Sequence, residues 1–204
     1  GSEVTGTGYL IESITDPSTF VVDGFKDEMP KVSNIEAIVY ADENLRVAAL
    51  EAGDVDLVEY VPWQAMDQIE ANDELALQAT DGPFMYLTFN ASRPPFDNPK
   101  VRQAVAHAIK REDIAAAAFY GRGGALEHLP IAEGSEFYNP ELANSWNYDP
   151  EKAQALLAEA GYPDGFDCVM LSTAQYGMHQ STAEVCQAYL SMIGINVQLD
   201  LPEW

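Results

Sequence analysis

Positive charge is scarce in this chain: ten Lys and Arg face 33 Asp and Glu over 204 residues, a formal net charge of -23 at pH 7. Such a field repels phosphate backbones and anionic lipid headgroups, which argues against nucleic-acid and membrane-surface roles. Cysteine is scarce too. Cys168 and Cys186 are the two present, without the CxxC or Cys/His spacing that zinc or thiol redox chemistry uses. They are two small buried residues or one disulfide. The three histidines, His107, His128 and His179, stand outside HExxH spacing and away from any GxSxG elbow, so no catalytic set, metal set or cofactor is expected. No apolar run reaches the ~18 to 20 residues of a membrane span. The chain opens on Gly1-Ser2 without a signal peptide, so its start does not report localisation.

Hydrophobic residues make up 47% of the sequence, enough for one large core or two small ones. Residues 9–14 and 20–22 read as strands around Asp16-Pro17-Ser18, a hairpin, and residues 35–40 as a further strand. Asp42 caps a helix that Gly53 stops. A short strand over 55–58 follows, and Pro62 starts a second helix running to Ile69. Residues 75–80 and 84–90 read as strands around Asp81-Gly82-Pro83. Asn98 with Pro99 at the first helical position is a strong helix start, and Val101, Val105, Ala108 and Ile109 fall at helical spacing. A second, alanine-rich helix begins at Arg111 and ends near Gly121. Residues 122–147 form a long irregular segment, a length that usually accompanies function or domain wrapping. Asp149-Pro150 caps a helix to Gly161. A strand over 166–171, a helix over 180–193 and a strand over 195–201 close the chain as a βαβ unit, which implies a parallel pair in an α/β sheet.

Few residues point to chemistry. A lone helical histidine such as His107 is ordinarily a satisfied or surface residue. Gly121-Arg122-Gly123-Gly124 lacks the Lys-Ser/Thr ending of a phosphate loop and follows a helix, so it reads as a turn. Asp16, Asp23, Asp27 and Glu28 lack EF-hand spacing. With so many carboxylates, close pairs arise by chance and assign no acid-base role. More specific is the stretch 84–90, where the period of two places Met85, Leu87 and Phe89 on one face and Phe84, Tyr86, Thr88 and Asn90 on the other. The second face offers stacking area with polar tips, as small-molecule pockets do, though a strand buried on both sides would show the same pattern. The loop 174–179 leads from a strand's carboxyl end into a helix, where open α/β sheets hold ligands, and brings Gln175, Tyr176 and His179.

The run Pro95-Phe96-Asp97-Asn98-Pro99-Lys100-Val101-Arg102-Gln103-Ala104, with Ala108-Ile109-Lys110-Arg111-Glu112-Asp113-Ile114, resembles the signature of the peptide/nickel class of ABC solute-binding proteins, family 5. Gly6-Thr7-Gly8-Tyr9, Leu50-Glu51-Ala52-Gly53-Asp54-Val55-Asp56, Tyr148-Asp149-Pro150-Glu151-Lys152-Ala153 with Leu156-Leu157-Ala158-Glu159-Ala160-Gly161-Tyr162, and Leu190-Ser191-Met192-Ile193-Gly194-Ile195-Asn196-Val197 keep the same order. Two departures are the missing proline after Gly8 and Gly24-Phe25 where the family usually has Tyr-Trp.

The resemblance implies an α/β periplasmic-binding-protein-like type II fold, with parts of two mixed-sheet lobes and flanking helices in a chain that starts late and stops early. Residues 1–89 would belong to the first lobe, ending in the crossing strand, and 90–204 to the start of the second. The implied function is the extracytoplasmic solute-binding component of an ABC importer, capturing a small solute such as an oligopeptide between the lobes without enzymatic chemistry; a ligand-sensing module on the same fold is the alternative. Phe84, Tyr86, Asn90, Gln175, Tyr176, His179 and Trp204 would wall the cleft. The implied partners are the ligand and a membrane permease. The implied location is periplasmic or extracellular, with lipid anchoring of the full-length protein as one form of it. Sheet edges left unpaired by missing strands would favour self-association.

Overall fold

A computed structural model of the chain describes residues 34–79, 84–126, 131, 135–142 and 145–202. The expected hairpin at 9–22, His128 and Trp204 lie outside the described residues. The chain divides into two compact units, Gly1–Ala41 and Asp42–Trp204. In the first, residues 34–40 form neither helix nor strand. The β-branched composition of residues 35–40 favours extended backbone, but a strand also needs a ladder with a second strand.

The second unit follows its capping residues closely. Helix α1, Glu43–Ala52, starts where the Asp42 carboxylate accepts from the N–H groups of Asn44 and Leu45 at 2.7 and 3.2 Å. It stops where Gly53 turns left-handed, with Gly53 N–H donating to the Leu50 carbonyl and Asp54 N–H to that of Ala49, the two bonds that close a glycine-terminated helix. That turn carries the chain into bends, so no strand forms over 55–58. A 3-10 turn, Trp63–Ala65, leads into α2, Met66–Glu70. Val47, Ala65 and Ile69 pack together with Val61, Leu75 and Leu77 as a small core.

The larger core begins at α3, Pro99–Ala108, where the Asn98 side chain accepts from Lys100 N–H at 3.0 Å and Pro99 leaves no orphaned donor. Val101, Ala104, Val105 and Ala108 make one buried stripe at spacings of three and four. Helix α4 spans Arg111–Ala118 and α5 spans Pro150–Glu159, which buries Ala153 and Leu157 against α3. Lys100 and Glu159 join α3 to α5 at 2.8 Å. Strand β1, Phe166–Leu171, helix α6, Gly177–Ser191, and strand β2, Ile195–Asp200, complete the unit. The strands pair in parallel from Phe166↔Ile195 to Leu171↔Asp200, as the βαβ pattern predicts. Phe166, Cys168 and Met170 face the core with Ile195, Val197 and Leu199, whereas Val169 and Leu171 are exposed on the opposite face.

Both cysteines are free thiols. Burial pushes the Cys186 thiol up to about 11, so it stays protonated and unreactive at neutral pH. His107 is a satisfied core residue: it is buried, its Nδ1 lies 2.8 Å from the Asn147 carbonyl oxygen, and its ring stands beside Trp146. The same end of the long irregular segment is held by Arg111, which donates to the Trp146 carbonyl at 2.8 Å. Gly121 and Gly123 take left-handed angles in the turn that Arg122 punctuates, and Arg122 pairs with Asp67 and Glu70.

The stretches 75–80 and 84–90, expected as strands around a turn, carry no ladder among the described residues, which include 75–79 and 84–90. The alternation nevertheless holds in part: Met85 and Phe89 are half-buried, Phe84, Tyr86, Thr88 and Asn90 are exposed, and Leu87 is the departure, exposed like its neighbours. Phe89 stacks on Phe96, which meets Phe166, anchoring the end of the stretch to the larger core.

Candidate functional site

The sequence-derived residues fall into two groups. Phe84 and Tyr86 lie ring to ring at 5.6 Å, both exposed. Asn90 sits at the end of that stretch, where its side-chain oxygen accepts from Ser92 N–H at 3.2 Å and from the Ser92 hydroxyl at 2.6 Å. Its side-chain carbonyl oxygen therefore shapes the turn. The second group is the loop into α6. Thr173 is buried and its hydroxyl accepts from Gln175 N–H at 3.1 Å, while the Ser172 hydroxyl donates to the His179 carbonyl at 3.2 Å. That bracing fixes the loop's backbone and leaves the Gln175 side chain exposed. Tyr176 and His179 lie ring to ring at 5.7 Å. No hydrogen bond or ring contact joins the two groups among the described residues.

Sequence reasoning missed the residues that meet the second group. Tyr60 packs edge-on against Tyr176 at 5.3 Å between ring centres, and its hydroxyl donates to Met178 Sδ at 3.1 Å. Trp63 Nε1 donates to the same sulfur at 3.1 Å and packs edge-on against Phe119 at 5.0 Å. Arg46, on α1, holds its guanidinium carbon 5.9 Å from the Tyr60 ring centre. Burial first, then the Glu43 carboxylate and Tyr176, push the Tyr60 phenol up, with Arg46 pulling the other way, so the phenol remains a donor. The signal available in the sequence was Tyr60-Val61-Pro62-Trp63, two aromatic residues beside a proline in a loop. Nothing in that run says which distant residues it meets.

The result is a half-exposed aromatic wall with a cation and several polar tips, built from segments before and after the stretch 84–90. Such a wall can bind and orient a small solute by stacking and directional hydrogen bonds.

The sequence pattern described as bacterial extracellular solute-binding proteins, family 5 middle, matches residues 7–204. The chain belongs to this family. The glutathione-binding protein GsiB of Pectobacterium atrosepticum is 34% identical over 179 residues, covering 86% of this chain and 34% of that protein. GsiB of Escherichia coli K12 is 33% identical over 174 residues, covering 84% and 33%. This family-5 chain thus spans about a third of the length of the curated relatives it matches. Among solved structures, AgaA of A. tumefaciens R10 in complex with agropinic acid is 46% identical at a TM-score of 0.77, covering 81% of this chain and 34% of that one. DppA of Helicobacter pylori in complex with the peptide STSA is 29% identical at a TM-score of 0.73, covering 80% and 31%. The α/β arrangement is therefore part of the type II periplasmic-binding-protein fold.

Proposed function

We propose that the chain contributes the seam of an extracytoplasmic solute receptor serving an ABC importer, with residues up to 89 in one lobe and residues from 90 in the other. The observation that carries this is the ring cluster: Tyr60, from before the stretch 84–90, meets Tyr176 and Met178, from well after it. These contacts, inside the unit Asp42–Trp204, bring the segments before and after 84–90 to one aromatic wall, which on this reading lines the seam. The solute is small and multifunctional, such as an oligopeptide; the relatives named above bind glutathione, agropinic acid and the peptide STSA. Phe84, Tyr86, Asn90, Gln175, Tyr176 and His179 supply stacking area and hydrogen bonds.

Function then follows from differential affinity. A solute touching both lobes stabilises the closed arrangement by as much as it binds that arrangement better than the open one. The closed shape is what the membrane permease recognises. No bond of the solute breaks, so release regenerates it. Periplasmic or extracellular placement accompanies this role.

Calorimetric titration with glutathione and with the dipeptide Met-Leu, followed by mass spectrometry of the recovered solute, tests the proposal. Saturable binding with the solute chemically unchanged supports it; turnover of the solute, or binding to neither, contradicts it. Within the same assay, Tyr86→Ala is expected to weaken binding about tenfold, the worth of one well-placed ring. Because Tyr86 is 70% exposed, stability should move by less than about 0.5 kcal/mol. Unchanged affinity would remove Tyr86 from the cleft.

A further inference from the structure

Arg122 ties together two parts of the chain that lie on either side of the stretch 84–90. Its Nη1 donates to Glu70 Oε1 at 3.0 Å, and its Nη2 pairs with Glu70 Oε2 and with Asp67 Oδ1. The contact with Glu70 is a two-bonded fork, a geometry that suits arginine and that lysine cannot copy. Asp67 and Glu70 stand three residues apart on α2, so they share one helix face, where like charges repel. In a chain of net charge -23 that repulsion asks for a cation, and Arg122 brings one from far along the sequence. Its hydrogen bonds hold the Glu70 carboxyl below the usual range, with partial desolvation and the Asp67 charge pulling the other way.

A second contact joins the same two segments. Trp63, in the 3-10 turn that runs into α2, packs edge-on at 5.0 Å against Phe119, the residue that ends α4. Tyr120 and Gly121 follow with φ of 54° and 75°, a left-handed reversal that a bulky residue such as tyrosine rarely makes. Backbone bonds fix it: Gly121 N–H donates to the Ala115 carbonyl at 3.0 Å and Arg122 N–H to that of Phe119 at 2.8 Å. The guanidinium and the Phe119 ring thus close on α2 and its leading turn together. An isolated exposed ion pair contributes little, but here one cation serves two carboxylates beside a ring contact.

We propose that Arg122 is an ionic clasp that holds residues 63–70 against residues 119–122 when the solute seam is shut, and so sets apparent solute affinity without touching the solute. This rests on the solute-capture reading, which puts Asp67 and Glu70 in one lobe and Arg122 in the other. On that reading the clasp forms only in the shut arrangement. Apparent affinity scales with the fraction of protein in the binding-competent state, so a contact that favours that state tightens every solute by the same factor. A residue that itself meets solute would change different solutes by different factors. An ion pair confined inside one rigid lobe would change stability and leave affinity alone.

The test is calorimetric titration of the full-length protein with glutathione and with Met-Leu. Arg122→Gln is expected to weaken both by one common factor, about two- to fivefold, the worth of an exposed ion pair. Asp67→Asn with Glu70→Gln should give the same factor from the other side, and the triple variant should add nothing further, because the three groups act as one unit. Raising NaCl to about 0.5 M should narrow the difference from the parent, since exposed charges are screened. The carboxylate variant suffices if Arg122→Gln does not fold. Unchanged affinities, or factors that differ between glutathione and Met-Leu, would overturn the clasp and leave solute capture standing. Capture of neither solute by the parent would overturn both.

Discussion

Replacing Gly165 with alanine is expected to destabilise the chain by about 3 kcal/mol or more, whereas the same change at Gly161 should cost only about 1 kcal/mol. Both glycines have left-handed backbone, with φ of 79° and 92°, so the intrinsic penalty for a side chain is shared. What differs is the space. A Cβ on Gly161 would meet nothing within 4 Å, but on Gly165 it would lie 1.9 Å from the Gly194 carbonyl oxygen and 2.3 Å from its carbon. Those atoms are backbone and cannot rotate aside. They also start the sheet, since Phe166 N–H donates to the Gly194 carbonyl at 3.2 Å immediately before Phe166 pairs with Ile195. Relieving the clash means parting β1 from β2 at their first rung. Urea unfolding of the two variants beside the parent measures the difference; equal losses would show that the backbones do not approach so closely.

Leu157→Ala should cost about 2 to 5 kcal/mol, the range for emptying a fully buried leucine site. Leu157 is 1% exposed on α5 and packs in the core that Val101, Ala104, Val105 and Ala108 line from α3 and Leu190 from α6. Small residues on α3 and α5, Ala104, Ala108 and Ala153, let the helices approach, so little side-chain volume stands ready to fill the void. A loss under about 1 kcal/mol by the same urea titration would mean that this core is loosely packed.

Those two sites also mark where the sequence was legible. Helix ends with a chemical signature came out closely: Asp42 and Gly53 for α1, Asn98 and Pro99 for α3, Asp149 and Gly161 for α5. Each works through groups within a few residues, so local sequence suffices. The parallel β1/β2 pair followed from alternation and from the helix between them. Helix α6 begins at Gly177, three residues before the expected start; with no side-chain cap at Tyr176 and a poor helix former at Gly177, the local sequence carries no signal of that start. Extended stretches were harder. Residues 35–40, 55–58 and 84–90 have strand composition, but a ladder depends on a partner elsewhere in the chain.

The candidate site shows the same limit. Gln175, Tyr176 and His179 were legible because a loop leaving a strand's carboxyl end is a recurrent ligand position. Arg46 and Tyr60 were not, since their relevance lies in contacts with each other and with residues more than a hundred positions later. The family match over residues 7–204 supplies the fold context that local patterns could not.

The account stands on the claim that the rings at 84–86 and around Tyr60 and Tyr176 face a solute held between two lobes. A crystal structure of the full-length protein with a captured solute tests it most directly. The expected result is an intact solute in van der Waals contact with Tyr86 or Tyr176. A structure in which residues 84–90 run through the interior of one closed domain, with the solute bound elsewhere, would contradict it.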